Sequence, residues 1–345
     1  MTSGSGISAR LRTITERVLS GSATVFVLLG LIVVVISVLN PRFLDPTSLM
    51  LFIKKAAPLV LLAIGQYFVI VSGEFDLSVG SLVGAQVVIA ALLINGVESA
   101  TVPVILGMFV GGALIGLVNG LITTLLKVPS IITTLGMMLV LYGAIRWLTG
   151  GAPTGALSEN FRVLGRQGID DVPFIGQIPW ALLIMVALGI GAGYLMRSAW
   201  GRTLIAVGDN ERAATFAGAR VWWVKTTAFV LSSVLATAAG ILLGGYAGVT
   251  AQVGQGLEFT AITAVVLGGV VLGGGRGWVV AAMAGALTVE ALFRLFTQLN
   301  LPSTIRPTAQ GLIIIAAVAY AAVDRARRQR TSTAIGTPRH SDVAS

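Results

Sequence analysis

Two carboxylates, Glu74 and Asp76, stand in the stretch GEFDLSVGS between runs that are apolar enough to sit in lipid. An acid so placed can cap a helix, pair with a cation, or meet a polar solute crossing a membrane. Gly73 suits the left-handed residue that ends the helix before it. Asp76 suits the N-cap of the helix after it, where a carboxylate meets free backbone N–H groups and the positive end of the helix dipole. Glu74 has no such assignment. A third acid, Glu290, stands four residues before Arg294. On one helix face the two can pair, which lowers the cost of holding either in lipid; substrate contact is the rival reading. The other polar groups inside apolar runs are uncharged: Gln66, Gln86, Asn119, Thr133, Thr134, Tyr142, Thr237, Thr263 and Thr288. Such groups can bond a hydroxylated solute or tie one helix to another. Gln66, Glu74, Asp76, Gln86, Asn119, Thr133, Thr263 and Glu290 are the candidate residues of a substrate path.

Other chemistry is poorly supplied. There is no Cys, and the single His, His340, lies in a polar tail. Thiolate catalysis, His catalysis and Cys- or His-ligated metals are disfavoured. No G-x-x-x-x-G-K-[ST] occurs, so the chain is not expected to hydrolyse ATP. No relay of buried acids or His suited to proton coupling is evident. Neither catalytic residues, a metal nor a cofactor is expected in this chain. A transport path without an energy source calls for another subunit that hydrolyses ATP.

The elements that hold these groups are membrane helices. Hydrophobic residues make up 55% of the 345 and charged ones 11%, against roughly 25% charged in soluble domains. Apolar runs of about 20 residues recur, the length that crosses roughly 30 Å of hydrocarbon. They lack period-two alternation, so helices are favoured over strands. Ten spans are expected, at 22–39, 56–72, 77–95, 102–126, 131–148, 178–196, 224–247, 259–274, 278–298 and 304–323. The fold class is thus an all-α integral membrane protein. The first span reads as a retained signal anchor.

Ten spans put both termini on one side. Of the 23 Lys and Arg residues, 15 fall on that side, which makes it cytoplasmic. The net charge of +9 then reports membrane orientation rather than nucleic-acid binding. Lys54 and Lys55 run against this sorting and suit a short interfacial helix, PTSLMLFIKK, with their stems snorkelling to headgroups. The chain divides into a cytoplasmic segment 1–21, a transmembrane domain 22–324 and a basic tail 325–345 of disordered composition. Two connections are long: 149–177, expected outside, and 197–225, expected inside.

Of 43 glycines, many fall inside spans. Gly107/Gly111 and Gly112/Gly116/Gly120 recur at four-residue steps, a spacing that lets helix backbones approach closely. The eighth span runs into Gly273 to Gly275 and reads as a broken helix, a feature that lines paths through membranes. Glu74-Phe75-Asp76 is echoed by Glu258-Phe259-Thr260 at the opening of the third and eighth spans, which suggests an inverted 5+5 repeat. In the inner connection, Asp209 or Asn210 can cap a short helix, ERAATFAGA, that Gly218 would end. Its small apolar face, Ala213, Ala214 and Ala217, suits a docking surface for a partner; a helix lying on the membrane surface is the alternative.

Four stretches then occur in order: VIVSGEFDLSVGSLVG, KVPSIITTLGMMLVLYG, GRTLIAVGDNERAATFAGARV and LEFTAITAVVLGGVVLGGGRG. Together they resemble the permease subunit of bacterial ATP-binding-cassette importers for monosaccharides, the ribose/xylose/galactose type, over about residues 20 to 325. The resemblance implies a permease dimer of like or unlike chains, ATPase subunits on the cytoplasmic side, an extracytoplasmic sugar-binding protein and a bacterial cytoplasmic membrane. It also implies a coupling helix, here Asp209, Asn210, Glu211, Arg212, Ala213, Ala214, Ala217 and Gly218. One departure stands out: that family usually reads GGIDLS where this chain has Glu74-Phe75. The same machine carrying a nucleoside, branched-chain amino acid or polyol, and a self-powered secondary carrier, are the alternatives.

Overall fold

The structure, a computed structural model, describes residues 21–152, 155–250, 252–316 and 319. Segment 1–20 and the 325–345 tail lie outside the described residues, and with them the charges that dominate the orientation argument.

Each of the ten expected spans contains a helix. These are α1 (Gly21–Leu39), α2 (Pro46–Val71), α3 (Val79–Ile94), α4 (Thr101–Leu125), α5 (Ser130–Thr149), α7 (Trp180–Arg197), α10 (Val221–Ala247), α11 (Leu257–Leu267), α12 (Val279–Gln298) and α13 (Ile305–Ala316). Six of them, α2, α4, α5, α7, α10 and α12, are long and apolar enough to cross a membrane; α1, α3, α11 and α13 are shorter apolar helices. Three more are short: α6 (Glu159–Arg166), α8 (Ala199–Asp209) and α9 (Glu211–Phe216). The protein is a multi-pass helical membrane protein. To the expected all-helical chain the structure adds a small antiparallel hairpin, β1 (Gly168–Val172) with β2 (Gly176–Pro179), in the 149–177 connection.

Helix α2 is the axis of the molecule. Every residue from Ala56 to Val71 is buried. The separate interfacial helix expected around PTSLMLFIKK does not form: these residues are the first turns of α2, which begins at Pro46 and runs through Pro58. Proline at a first helical position has no N–H to leave unsatisfied. Helix α10 lies along both α2 and α4. A Cβ on Gly65 would sit 3.0 Å from the Ser232 Cα, and one on Gly116 2.6 Å from the Phe229 carbonyl oxygen. The Gly112/Gly116/Gly120 row is therefore a backbone-to-backbone seam between α4 and α10. Helices in lipid gain little from hydrophobic burial and are held by such close packing. Gly107 and Gly111 meet nothing within 4 Å.

The connections sort to two ends. At one end α6 packs on the last turns of α10, with Gly165 and Gly245 backbone to backbone. The N-terminus of α6 is capped twice: the Ser158 side chain accepts from the Phe161 N–H (3.2 Å), and Glu98 accepts from the Glu159 N–H (2.8 Å) and the Asn160 N–H (3.0 Å). Lys54, near the start of α2, donates to the Arg166 carbonyl at 2.9 Å. Its head is held by the α6 loop rather than reaching out alone. The other end gathers the end of α2, helices α8 and α9, the start of α10 and the 268–278 loop. There the Gly275 N–H donates to the Val71 carbonyl at 2.9 Å, and Gly208 lies against both.

The eighth expected span, 259–274, is corrected. Its helix, α11, holds 11 residues and stops at Leu267; Gly268, Gly269, Gly274, Gly275 and Gly277 make the irregular loop beyond it, four of them at positive φ. On the other side, residues 248–250 and 252–256 run outside any helix, with Val253 and Gly254 against Gly84 and Gly80 of α3.

Candidate functional site

At the α9 end, local chemistry builds a short presented helix. The Asn210 side chain accepts from the Ala213 N–H at 3.0 Å and caps α9. The helix ends at Phe216, and Gly218 takes φ +85°. Of the expected coupling residues, Asp209 closes α8, Asn210 is the cap, and Glu211, Arg212, Ala213, Ala217 and Gly218 are exposed. Ala214 points inward and anchors the helix. Phe216, absent from the expected set, is 91% exposed. The small apolar face is thus Ala213, Phe216 and Ala217, with Ala214 as its root.

Lys225, in the first turn of α10, joins this helix to the body. Its Nζ lies 2.6 Å from Glu74 Oε1 and 2.7 Å from Glu211 Oε2. Glu74, a candidate path residue, therefore sits at the α9 end in an ion bridge. Beside it the Phe75 N–H donates to Ser130 Oγ and the Leu77 N–H to Thr134 Oγ1, which fastens the 73–78 segment to α5.

Asp76 is fully buried. Its Oδ1 accepts from the Ser78 N–H (3.0 Å) and the Ser78 hydroxyl (2.6 Å), and its Oδ2 from the Ser232 hydroxyl (3.1 Å). Asn119 donates to Ser78 Oγ at 2.9 Å. Burial pushes the Asp76 carboxyl up from its ordinary range, against the pull of the Ser78 and Ser232 donors. The expected cap is corrected: the N-cap position of α3 is Ser78, whose side chain makes no capping bond, and Asp76 accepts from the Ser78 N–H just ahead of the helix and ties α3, α4 and α10 at one point. Two other candidates make helix-to-helix or local bonds. Gln86 donates to the Met108 carbonyl at 2.8 Å, and Thr263 donates to the Phe259 carbonyl at 2.7 Å. Gln66 is fully buried in α2, and its amide nitrogen and oxygen have no partner among the described residues. Thr133 lies near the start of α5, mostly buried, with its hydroxyl on the Pro129 carbonyl.

One cavity, about 340 Å³, lies against α9 at Glu211, Arg212, Thr215 and Phe216. Three others lie toward the α6 end. The largest of these three, about 750 Å³, is lined by α2, α10, α12, α13 and residues 252–257, with Lys55, Tyr246, Gln252, Gln255, Thr260, Glu290, Arg306 and Gln310 among its walls. Gln310 donates to Thr260 Oγ1 at 2.7 Å across it. A second, about 330 Å³, shares Gln252 and Gln255 and reaches Arg146 and Thr149 of α5. A third, about 350 Å³, shares Lys55, Glu290, Phe293 and Arg306 and reaches Arg294. Of the eight candidate path residues, Glu290 alone lines these cavities. The expected Glu290–Arg294 ion pair is corrected: among the described residues the ion pairs are Arg162–Glu159, Lys225–Glu74 and Lys225–Glu211. The carboxylate lies instead in the field of Arg306 and Lys55.

Sequence reasoning missed Gln252, Gln255 and Gln310, which supply uncharged donors and acceptors to the cleft. The first two occupy the stretch between expected spans, where no polarity rule singles them out. Glu258 was the available signal, since it occupies the place of Glu74 in the internal echo. It is 3% exposed, and its Oε2 has no partner among the described residues. The Tyr142 hydroxyl, also unpartnered, lies in its field.

A family model described as the permease component of branched-chain amino acid transport systems matches residues 48–323. The ribose import permease protein RbsC of Bacillus subtilis (strain 168) is 34% identical over 297 residues, covering 85% of this chain and 90% of that one. The autoinducer 2 import system permease protein LsrC of Enterobacter sp. (strain 638) is 32% identical over 301 residues, covering 87% and 85%. Its counterpart in Escherichia coli (strain K12 / DH10B) is 32% identical over 283 residues, covering 82% and 81%. No solved structure matches. With four-fifths of its length under one family model and a deep polar cleft among its helices, the chain belongs to the family of branched-chain amino acid transport system permease components.

Proposed function

We propose that the chain is the membrane subunit of an ATP-binding-cassette importer that passes a monosaccharide across a bacterial cytoplasmic membrane. ATP is hydrolysed on partner subunits docked at α9, and an extracytoplasmic binding protein delivers solute at the α6 end. Two permease chains, identical or not, form the membrane unit, with both termini on the ATPase side. The observation that carries this reading is the division of labour between the two ends. One presents a capped helix with an exposed aromatic residue, ion-bridged to the body through Lys225. The other opens a cleft whose Gln252, Gln255, Thr260 and Gln310 suit hydroxyl groups. The names of the relatives, ribose and autoinducer 2 import permeases, support a sugar-like cargo. Alternating access follows: closure of the ATPases pushes α9, and the Lys225 bridge moves α10 and the 73–78 segment together.

Co-purification of the chain with an ATPase subunit, and ATP-dependent uptake of a labelled pentose by the reconstituted complex, test the reading. Accumulation of solute by the chain alone on an ion gradient would replace it with a self-powered carrier. The family description favours a second cargo, a branched-chain amino acid; competition of uptake by leucine rather than by ribose would select it.

A further inference from the structure

The cleft between α2, α12 and the start of α13 carries more positive charge than it balances. Lys55, Arg294 and Arg306 line it against the single carboxylate of Glu290. None of the three cations is within ion-pair distance of an acid among the described residues. Two of them are held by aromatic faces instead: Lys55 Nζ lies 5.7 Å from the Tyr246 ring centroid, and the Arg306 guanidinium 5.0 Å from that of Phe293. Ring faces steady a cation but leave its N–H donors unused. The buried Nε of Arg294 and that of Arg306 have no hydrogen-bond partner among the described residues. Among the described residues the Arg306 guanidinium makes one hydrogen bond, a long one of 3.4 Å to Thr297 Oγ1.

Buried donors without acceptors, beside uncompensated positive charge and an open volume of about 350 Å³, describe a site lacking its ligand. We infer that this cleft binds an anionic group, a phosphate or carboxylate, gripped by Arg294 and Arg306 and approached by Lys55. Glu290 opposes it and limits its affinity. A group with several oxygens on one centre can accept from both guanidinium groups at once, which a sugar hydroxyl cannot. The same chemistry has two sources: the headgroup of an anionic lipid reaching in past Phe43, Leu51 and Phe52, or an acidic solute entering from the adjoining cavity. The inference concerns charge in the cleft and holds whichever cargo the permease carries.

The test uses the full chain in neutral detergent, with its thermal midpoint followed as inorganic phosphate replaces chloride at constant ionic strength. Phosphate should raise the midpoint of the wild-type chain. Arg306→Gln should weaken that half-saturation roughly ten-fold, the loss of one charge-assisted hydrogen bond. Lys55→Gln, on a different helix, should weaken it in the same direction, which covers the case in which the Arg variant fails to fold. Glu290→Gln should tighten it. Native mass spectrometry from nanodiscs of phosphatidylglycerol and phosphatidylcholine separates the sources. Phosphatidylglycerol retained by wild type and lost in Arg306→Gln identifies a lipid headgroup, whereas phosphate protection without lipid retention identifies a free solute. No protection by phosphate together with no retained anionic lipid overturns the inference. So does protection that is equal in wild type, Arg306→Gln and Lys55→Gln.

Discussion

Lys225 and Glu74 stand 151 residues apart in sequence and 2.6 Å apart in space, and the same ammonium reaches Glu211 of α9 at 2.7 Å. The two carboxylates differ in setting: the Glu74 side chain is 17% exposed and that of Glu211 57%. Lys225→Met leaves a mostly buried Glu74 without its cation, which should cost about 3 kcal/mol. Glu211→Gln breaks an exposed pair and should cost under about 1 kcal/mol. Denaturant melts of the full chain measure both, and equal losses would show that the two bridges do not differ as described. In the reconstituted complex Glu211→Gln should still lower the solute carried per ATP hydrolysed, because α9 loses its tie to the body.

The α4–α10 seam makes a paired prediction. Gly116→Ala forces a methyl against the Phe229 carbonyl and should destabilise the chain by about 1–3 kcal/mol. Gly111→Ala, with nothing within 4 Å, should be neutral or slightly stabilising through helix propensity. Melting in the same detergent compares them; equal shifts would mean that the row has no special contact.

Asp76→Ala removes the acceptor of three hydrogen bonds in a fully buried site. The donors of Ser78 and Ser232 are then stranded, at about 1–3 kcal/mol each. A loss well below that sum, read from equilibrium unfolding, would indicate that water replaces the carboxylate there.

Phe216→Ser should weaken association of the ATPase subunit roughly ten-fold or more while leaving the melting of the isolated chain unchanged, as expected for an exposed aromatic anchor. Ala214→Trp should behave differently. Its side chain points into the body, so the fold itself should suffer. Sedimentation of the complex beside melting of the single chain separates the two effects.

In the cleft, Gln255→Ala should raise the KM of uptake about ten-fold with ATPase association intact. Glu258→Gln keeps the shape of its site and should reduce uptake if its unpartnered Oε2 meets solute. Unchanged KM in both variants would move the path away from residues 252–260.

What the chain's own order made legible was local. Asn210 and Gly218 bound a short helix by capping and by positive φ, rules that operate within a few residues, so α9 could be read almost to its ends. Hydropathy located a helix in each of the ten apolar runs for the same reason. Tertiary partners were not legible. Glu290 and Arg294 have pairing spacing, yet the carboxylate lies in the field of Lys55 and Arg306, which come from other helices. Glu74 could be marked as odd, but nothing near it in sequence names Lys225. The internal echo likened Glu74 to Glu258, and the structure gives the first an ion bridge and leaves Oε2 of the second without a partner among the described residues. Gln252 and Gln255 were passed over because a span that is half helix and half irregular reads, to any hydropathy window, as the end of one run and the start of another.

That irregular half has a consequence. Residues 252–256 pass Gly84 and Gly80 outside any helix, where the Val253 N–H reaches the Thr250 carbonyl and the Gln255 N–H that of Gln252. Hydrocarbon offers irregular backbone no partners, so this stretch has to face the polar cleft rather than lipid. The leak barrier falls to the opposite half, where α11 ends and the backbones of Val71, Gly208 and Gly275 meet with no room for a side chain between them.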